Sequence, residues 1–341
     1  MASGRSNPGK HADGGCAPLR RGSVRCLLRR RQLGAPAVSR VLAIVGPTAT
    51  GKSDLAVQVA QAVDAEVINA DSMQLYRGMD IGTAKLRIDQ RHGVRHHLLD
   101  VLDVTETATV AAYQLAARST MDDILSRDRT AILVGGSGLY IRAALDDLDF
   151  PATNAEVRGE LEAELAEHGS IPLHAKLARS DPAAAAAIHR HNGRKIVRAL
   201  EVIALTGQPF QASMPEPQDR YQAAWIGLDD DPEALDRRVE ARVDRMWAQG
   251  LVGEVEQLVT LGLRDGVTAS RALGYAQVLR HLDGEISREQ ARSITEQATR
   301  RFVRRQRSWF RREQRIDWLP AGGEQLVDRA ISALHAPTID S

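Results

Sequence analysis

The run GPTATGKS, from Gly46 to Ser53, constrains this chain more than any other stretch. It fits GxxxxGK[ST] at every position. It stands between a short apolar segment, Val41-Leu42-Ala43-Ile44-Val45, and an amphipathic helical pattern marked by Leu55, Val57, Val59, Ala60 and Val63. Strand, glycine-rich loop and helix in that order make a P-loop, because the turn must present backbone N–H groups to phosphate oxygens at a helix N-terminus. Gly46 and Gly51 permit the turns, and Pro47, Thr48, Ala49 and Thr50 carry the intervening backbone. Lys52 supplies a point charge and Ser53 a hydroxyl able to hold magnesium. The expected ligand is a di- or triphosphate. The β-branched-rich strand before the loop reads as part of a buried sheet, so the fold class is α/β: a P-loop NTPase-like parallel sheet flanked by helices.

A P-loop alone does not choose between kinase, NTPase and transferase. A second strand, Glu66 to Ala70, leads into Asp71-Ser72-Met73-Gln74, then Tyr76 and GMDIGTAK from Gly78 to Lys85. An aspartate at the carboxyl end of a strand beside the P-loop strand points into the ligand crevice, which makes Asp71 a candidate base; it could equally cap the following turn. A third strand, Thr130 to Val134, ends in Gly135-Gly136-Ser137-Gly138 and lacks the aspartate that NTPases use there to hold magnesium, which argues against a motor or switch. Ser137 can donate a hydrogen bond to substrate. In the helical stretch Pro232 to Gln249, Arg238, Arg242 and Arg245 share one face, either as an anion clamp or as a salt-bridge face with Asp236, Glu240 and Asp244.

With 341 residues and 43% hydrophobic content, the chain is long enough for about two domains. Strand signals stop between Phe150 and Arg220, where helical patterns take over, and Ala223 to Leu228 reads as a returning strand. The expected organisation is a discontinuous core of residues 40–150 and 221–335 with an all-helical insertion at 151–220. Residues 1–39 are Arg-rich and aperiodic, and are expected to be a disordered, dispensable extension or a misassigned start. Both cysteines, Cys16 and Cys26, fall there, which leaves the folded body without a disulfide or a cysteine-ligated zinc site. No stretch approaches the roughly 20 apolar residues needed to cross a bilayer, so a soluble protein with no membrane partner is expected; the cysteine distribution fits a reducing cytoplasm, and a monomer is expected. The net charge of +1 conceals a local excess: eight arginines lie between Arg300 and Arg315 against one acid, Glu313, with Phe302, Trp309 and Phe310 interleaved. Such a helix anchors by its apolar side and offers guanidinium groups to a nucleic-acid backbone.

Taken together, the motifs resemble the tRNA dimethylallyltransferase (tRNA isopentenyltransferase) family. GPTATGKS, ADSMQLYRGMDIGTAK, HHLLDVLD, LVGGSGLY, GRKIVRALEV, SRALGYAQ and TRRFVRRQRSWFRR occur in family order over roughly residues 40 to 320. The resemblance implies transfer of a dimethylallyl group from dimethylallyl diphosphate to N6 of the adenosine 3′-adjacent to the anticodon (position 37), without consumption of ATP. It implies that Gly46 to Ser53, with Mg2+ on Ser53, grips the diphosphate, that Asp71 is the base, and that Arg242 clamps the leaving group. It also implies that the insertion grips the anticodon stem-loop. The tRNA contacts it implies come from Asp71, Ser72, Met73 and Gln74, from Arg194, Lys195, Ile196, Val197 and Arg198, and from Arg271, Ala272, Leu273, Gly274, Tyr275 and Ala276. Ser137 stands where the family often has threonine, which keeps the hydroxyl. Ala276 stands where it often has arginine, which leaves one RNA contact without its cation. A kinase or a free-adenine-nucleotide isopentenyltransferase of the same fold would not need the basic helix or the insertion. A regulatory P-loop protein would not need Asp71, Ser137 and the arginine clamp together.

Overall fold

The computed structural model describes residues 39–212 and 214–336. The basic leader and both cysteines lie outside that set, apart from Ser39. β1 (Val41–Val45) is buried along its whole length. Leu42 and Ile44 turn to one side of the sheet and Val41, Ala43 and Val45 to the other, so both faces need cover. α1 (Lys52–Val63) leads into β2 (Ala65–Asn69), then β3 (His96–His97), α2 (Val110–Ser126), β4 (Thr130–Gly135) and α3 (Gly138–Leu145). After α4 (Ala155–His168), α5 (Ser170–Ser180), α6 (Pro182–Ala187) and α7 (Gly193–Thr206), the chain returns through β5 (Ala224–Asp229). α8 (Pro232–Ala248), α9 (Leu251–Thr260), α10 (Tyr275–Leu282), α11 (Arg288–Phe310), β6 (Asp317–Pro320) and α12 (Leu326–His335) complete it.

The strands form one parallel sheet in the order β3-β2-β4-β1-β5-β6. β2 is therefore not the neighbour of the P-loop strand, as the sequence reading had it; β4 lies between them. The reason is chemical. β4 is apolar on both faces and suits the place beside the central strand, whereas β2 carries Glu66, fully buried, whose carboxylate is held by Arg127 and Arg129 beside the start of β4 and by His97 on the edge strand. Hydrogen bonding from Arg127, outweighing burial, holds Glu66 down at about 2. β3 and β6 are too short and too polar to announce themselves in an apolar pattern.

α1 and α12 cover one face of the sheet through Leu55, Val59, Ala330 and Leu334. α2 and α3 cover the other through Tyr113, Ala117, Met121 and Ile141, joined by Phe310 from α11. A separate cluster joins α8, α9, α10 and α11 to Tyr76 and Met79. α4 to α7 enclose a core of their own, with Leu161, Leu173, Leu177, Ile188, Ile196 and Leu200 at its centre. Asn154, Asp181 and Asn192 cap α4, α6 and α7 by accepting backbone N–H groups.

The two chain segments that enter and leave this helical unit pair at Asp146 and Asp219. Asp146 is completely buried; it bonds Arg142 within its own helix end and accepts from Arg315 Nη1 at 2.6 Å. Arg315 also meets Asp219 at 3.6 Å and lies 4.3 Å from the centre of the Trp225 ring. Removing the carboxylate charge strands two arginines in a dry site. Asp146→Asn is therefore expected to cost about 3–5 kcal/mol of stability, read as a fall in the denaturation midpoint. An unchanged midpoint would mean that Glu313 and Asp219 suffice to neutralise Arg315.

Candidate active site

The site opens at the carboxyl ends of the strands, where β1 runs into the phosphate loop. Gly46 has φ 129°, and a Cβ there would run into the Leu228 carbonyl of the neighbouring strand. Thr50 Oγ1 donates to Pro47 O at 2.9 Å, which closes the loop on itself. Lys52 is buried, and its ammonium turns back to the Pro47 carbonyl and Thr50 Oγ1. Burial, with Arg242 beside it, draws Lys52 from 10.5 down to about 7 against the opposing pull of the Asp71 carboxylate. Ser53, half-buried in the first turn of α1, faces the same cleft and makes no side-chain hydrogen bond among the described residues.

The cleft measures about 910 Å³ and brings together Thr48, Lys52, Ser53, Asp71, Gln74 and the 80–90 segment with Arg238, Arg242 and Arg245 of α8. Asp71 does both things the sequence allowed. Its Oδ1 accepts Met73 N–H at 2.9 Å and so caps the turn, while Oδ2 makes no hydrogen bond within the protein among the described residues. Arg242 is half-buried and donates to Thr83 O at 3.1 Å. Burial lowers the proton affinity of its guanidinium, Asp71 works against this, and Arg245 adds to it. The salt-bridge face envisaged for α8 exists, but with other partners: Asp236, Glu240 and Asp244 reach across to Arg304, Arg300 and Arg292 of α11. Arg242 and Arg245 are thereby left to the cleft. Arg238 pairs with Asp230 at 3.0 Å. Ser137 lies one residue beyond the lining formed by Gly135 and Gly136; it is half-buried at the start of α3, and its hydroxyl makes no hydrogen bond among the described residues.

Three further residues hold the site and gave no signal by type or spacing. Glu254 on α9 accepts Ile81 N–H at 2.7 Å and Gly82 N–H at 3.2 Å, and takes the Tyr275 hydroxyl at 2.6 Å. Lys85 donates to Tyr76 O, Asp80 and Asp100, which fixes the far end of the same loop. Gln306 on α11 accepts Thr48 N–H at 2.9 Å. Glu254 and Gln306 are brought in from distant helices, so their pairings are visible only in three dimensions, whereas Lys85 closes its own loop.

The family model for IPP transferase matches residues 74–313. The chain belongs to the IPP transferase family. A tRNA dimethylallyltransferase of Thermobifida fusca is 60% identical over 300 residues, which cover 86% of this chain and 94% of the relative. One from Salinispora arenicola is 59% identical over 300 residues, covering 88% of each. Among solved structures, the full-length tRNA isopentenylpyrophosphate transferase of Bacillus halodurans aligns with a TM-score of 0.64 at 38% identity, over 86% of this chain and 96% of its own. A eukaryotic dimethylallyltransferase acting on tRNA aligns with a TM-score of 0.70 at 25% identity, over 82% and 73%.

In this IPP transferase the residues expected to touch RNA divide into surface and interior. Ile196 and Val197 are buried in the core of the helical unit, and Lys195 and Arg198 donate to backbone carbonyls at Ala212, Ala152 and Pro151. Arg194 is exposed. Ala272, Gly274 and Tyr275 are buried, with the Tyr275 ring packed on Gly82, while Arg271 is exposed and Leu273 and Ala276 are half-buried. Tyr275 thus braces the 78–85 loop and presents no side chain to a partner. The arginines of α11 and of the turn that follows it divide likewise. Arg300, Arg304, Arg307 and Arg315 are engaged by Glu296, Asp236, Asp229 and Asp146, acids remote from the run or in an earlier turn. Arg301, Arg305, Arg311 and Arg312 are exposed without ion pairs among the described residues.

Proposed function

We propose that the chain transfers the dimethylallyl group of dimethylallyl diphosphate to N6 of the tRNA adenosine 3′-adjacent to the anticodon, giving N6-(dimethylallyl)adenosine and diphosphate. The observation that carries this reading is the convergence of Lys52, Arg242 and Asp71 on one cleft, where the Arg242 guanidinium and the Asp71 carboxylate act on the buried Lys52 ammonium in opposite directions. An allylic carbon is already electrophilic, so the reaction needs the charge on the departing diphosphate neutralised and one proton taken from the incoming amine. N6 forms a bond to the allylic carbon, the carbon–oxygen bond to diphosphate breaks with its electron pair leaving on oxygen, and the Oδ2 of Asp71 receives the N6 proton. Lys52 and Arg242 hold the leaving charge. The adenosine must leave its stack to reach Asp71, which costs a few kcal/mol and least in a loop.

Ser53 fits a magnesium site, since its free hydroxyl faces the cleft from the first turn of α1. Among the described residues no group of three or more His, Cys, Asp or Glu could hold a metal, so Ser53 would hold the ion together with diphosphate and water oxygens. Bound magnesium would neutralise part of the diphosphate charge.

No helix among the described residues is long and apolar enough to cross a membrane. RNA docking is assigned to Arg301 and Arg305 of α11 and to Arg311 and Arg312 just past its end, together with exposed Arg190 and Arg194 in the helical unit. Replacing Arg305 and Arg312 together by alanine is expected to reduce the slope of log affinity against log salt by about 1.5 without moving the denaturation midpoint. An unchanged slope would remove α11 from the RNA face. The function itself is tested by incubating the protein with magnesium, dimethylallyl diphosphate and either unmodified tRNA or AMP, followed by mass spectrometry of the nucleosides. Prenylated adenosine from tRNA alone supports the proposal; product from AMP alone assigns a free-nucleotide enzyme, and no product from either overturns prenyl transfer.

A further inference from the structure

Gln306 is 6% exposed, lines the cleft, and joins two loops that share no backbone hydrogen bond with each other. Its Oε1 accepts the Thr48 N–H at 2.9 Å, and its Nε2 donates to the Gly136 carbonyl at 2.8 Å. Because an N–H can only donate and a carbonyl can only accept, a single orientation of the amide satisfies both. A Cβ at Gly136 would collide with Nε2, so the loop is shaped to admit this side chain. One turn further along α11, the Trp309 ring occupies the space a side chain at Gly138 would fill, and Arg307 binds Asp229 and the Asp230 carbonyl. A single turn of helix thus fixes the loops after β1, β4 and β5.

We propose that Gln306 is a positioning residue for prenyl transfer: it sets the spacing between the diphosphate loop and the Gly136–Ser137 turn, and so aligns the allylic carbon with the acceptor amine at Asp71. This rests on the function proposed above. Engaging the Thr48 N–H also settles which loop N–H groups face the diphosphate. A misplacement of about 1 Å between reacting groups costs up to about 10²-fold in rate, which sets the scale of the effect.

The test uses the full chain with Gln306→Met, which keeps the length and loses both hydrogen bonds, and with Gly136→Ala, which displaces the amide without touching it chemically. Each is expected to lower kcat about 10- to 100-fold and to raise KM for dimethylallyl diphosphate, with KM for tRNA held. Gln306→Ala combined with Gly136→Ala should be no worse than Gln306→Ala alone, since both act on one contact. Wild-type kcat and prenyl KM in Gln306→Met, or losses that multiply in the double variant, overturn the inference. Absence of transfer by the unsubstituted protein overturns the proposed function instead. The loop role is then decided by calorimetric titration with inorganic diphosphate: weakened binding in Gln306→Met upholds it, and unchanged binding overturns it.

Discussion

Asp71→Asn is expected to lower the rate of prenyl transfer by about 10²- to 10⁴-fold while tRNA affinity stays where it is. The substitution separates the two roles that one carboxylate fills. Asparagine keeps an oxygen that can accept the Met73 N–H now bound at 2.9 Å, so the turn after β2 survives. What is lost is the second oxygen as a proton acceptor and the negative charge that opposes the depression of Lys52 and Arg242. Single-turnover rates with saturating tRNA isolate the chemical step from binding. Activity retained in Asp71→Asn, with loss only in a variant that cannot cap the turn, would show Asp71 to be structural and the base to lie elsewhere.

How much of this could be read from the sequence follows from how far each feature depends on near neighbours. The P-loop was legible because strand, loop and helix are contiguous and each residue type answers a local demand. β1, β2, β4 and β5 were legible as apolar runs, and their order was not, because it depends on where the buried carboxylate of Glu66 finds Arg127 and Arg129. The basic run on α11 was legible as composition. Its division into four engaged and four free arginines was not, since Asp236, Asp229 and Asp146 come from distant segments. Tyr275 shows the limit from the other side. Within SRALGYAQ it reads as a candidate contact, and only the arrangement of Glu254 and Gly82 around it reveals a buried brace. Gln306 is the clearest case, because a glutamine between arginines carries no signal until Thr48 and Gly136 are seen on either side of it.

Lys52→Met is expected to do two opposite things: lower transfer about 10²- to 10³-fold and raise the stability of the ligand-free protein. The ammonium lies in a buried site beside Arg242, and the fall from 10.5 to about 7 corresponds to a penalty on the order of 5 kcal/mol for keeping it charged. The sign fixes the pH window. Below about 7 the lysine is charged in both folded and unfolded chains, and the penalty is full. Between about 7 and 10.5 the folded chain sheds the proton while the unfolded chain keeps it, so stability climbs with pH across that interval. Methionine fills the volume without the charge, so its variant should gain stability at pH 6 and 7 and lose this part of the pH dependence. Denaturant titrations of both proteins at pH 6, 7, 8 and 9 measure the difference directly. A bound diphosphate offers Lys52 and Arg242 more counter-charge than the Asp71 carboxylate alone supplies, so the ligand should stabilise the wild-type protein far more than the variant. Equal stabilisation of the two by dimethylallyl diphosphate would place the diphosphate away from Lys52, and a variant less stable than wild type at pH 6 would mean that the Pro47 and Thr50 hydrogen bonds outweigh the buried charge. If the variant is instead the more stable of the two yet inactive, the cleft holds two cations in a costly arrangement because the departing diphosphate needs them both.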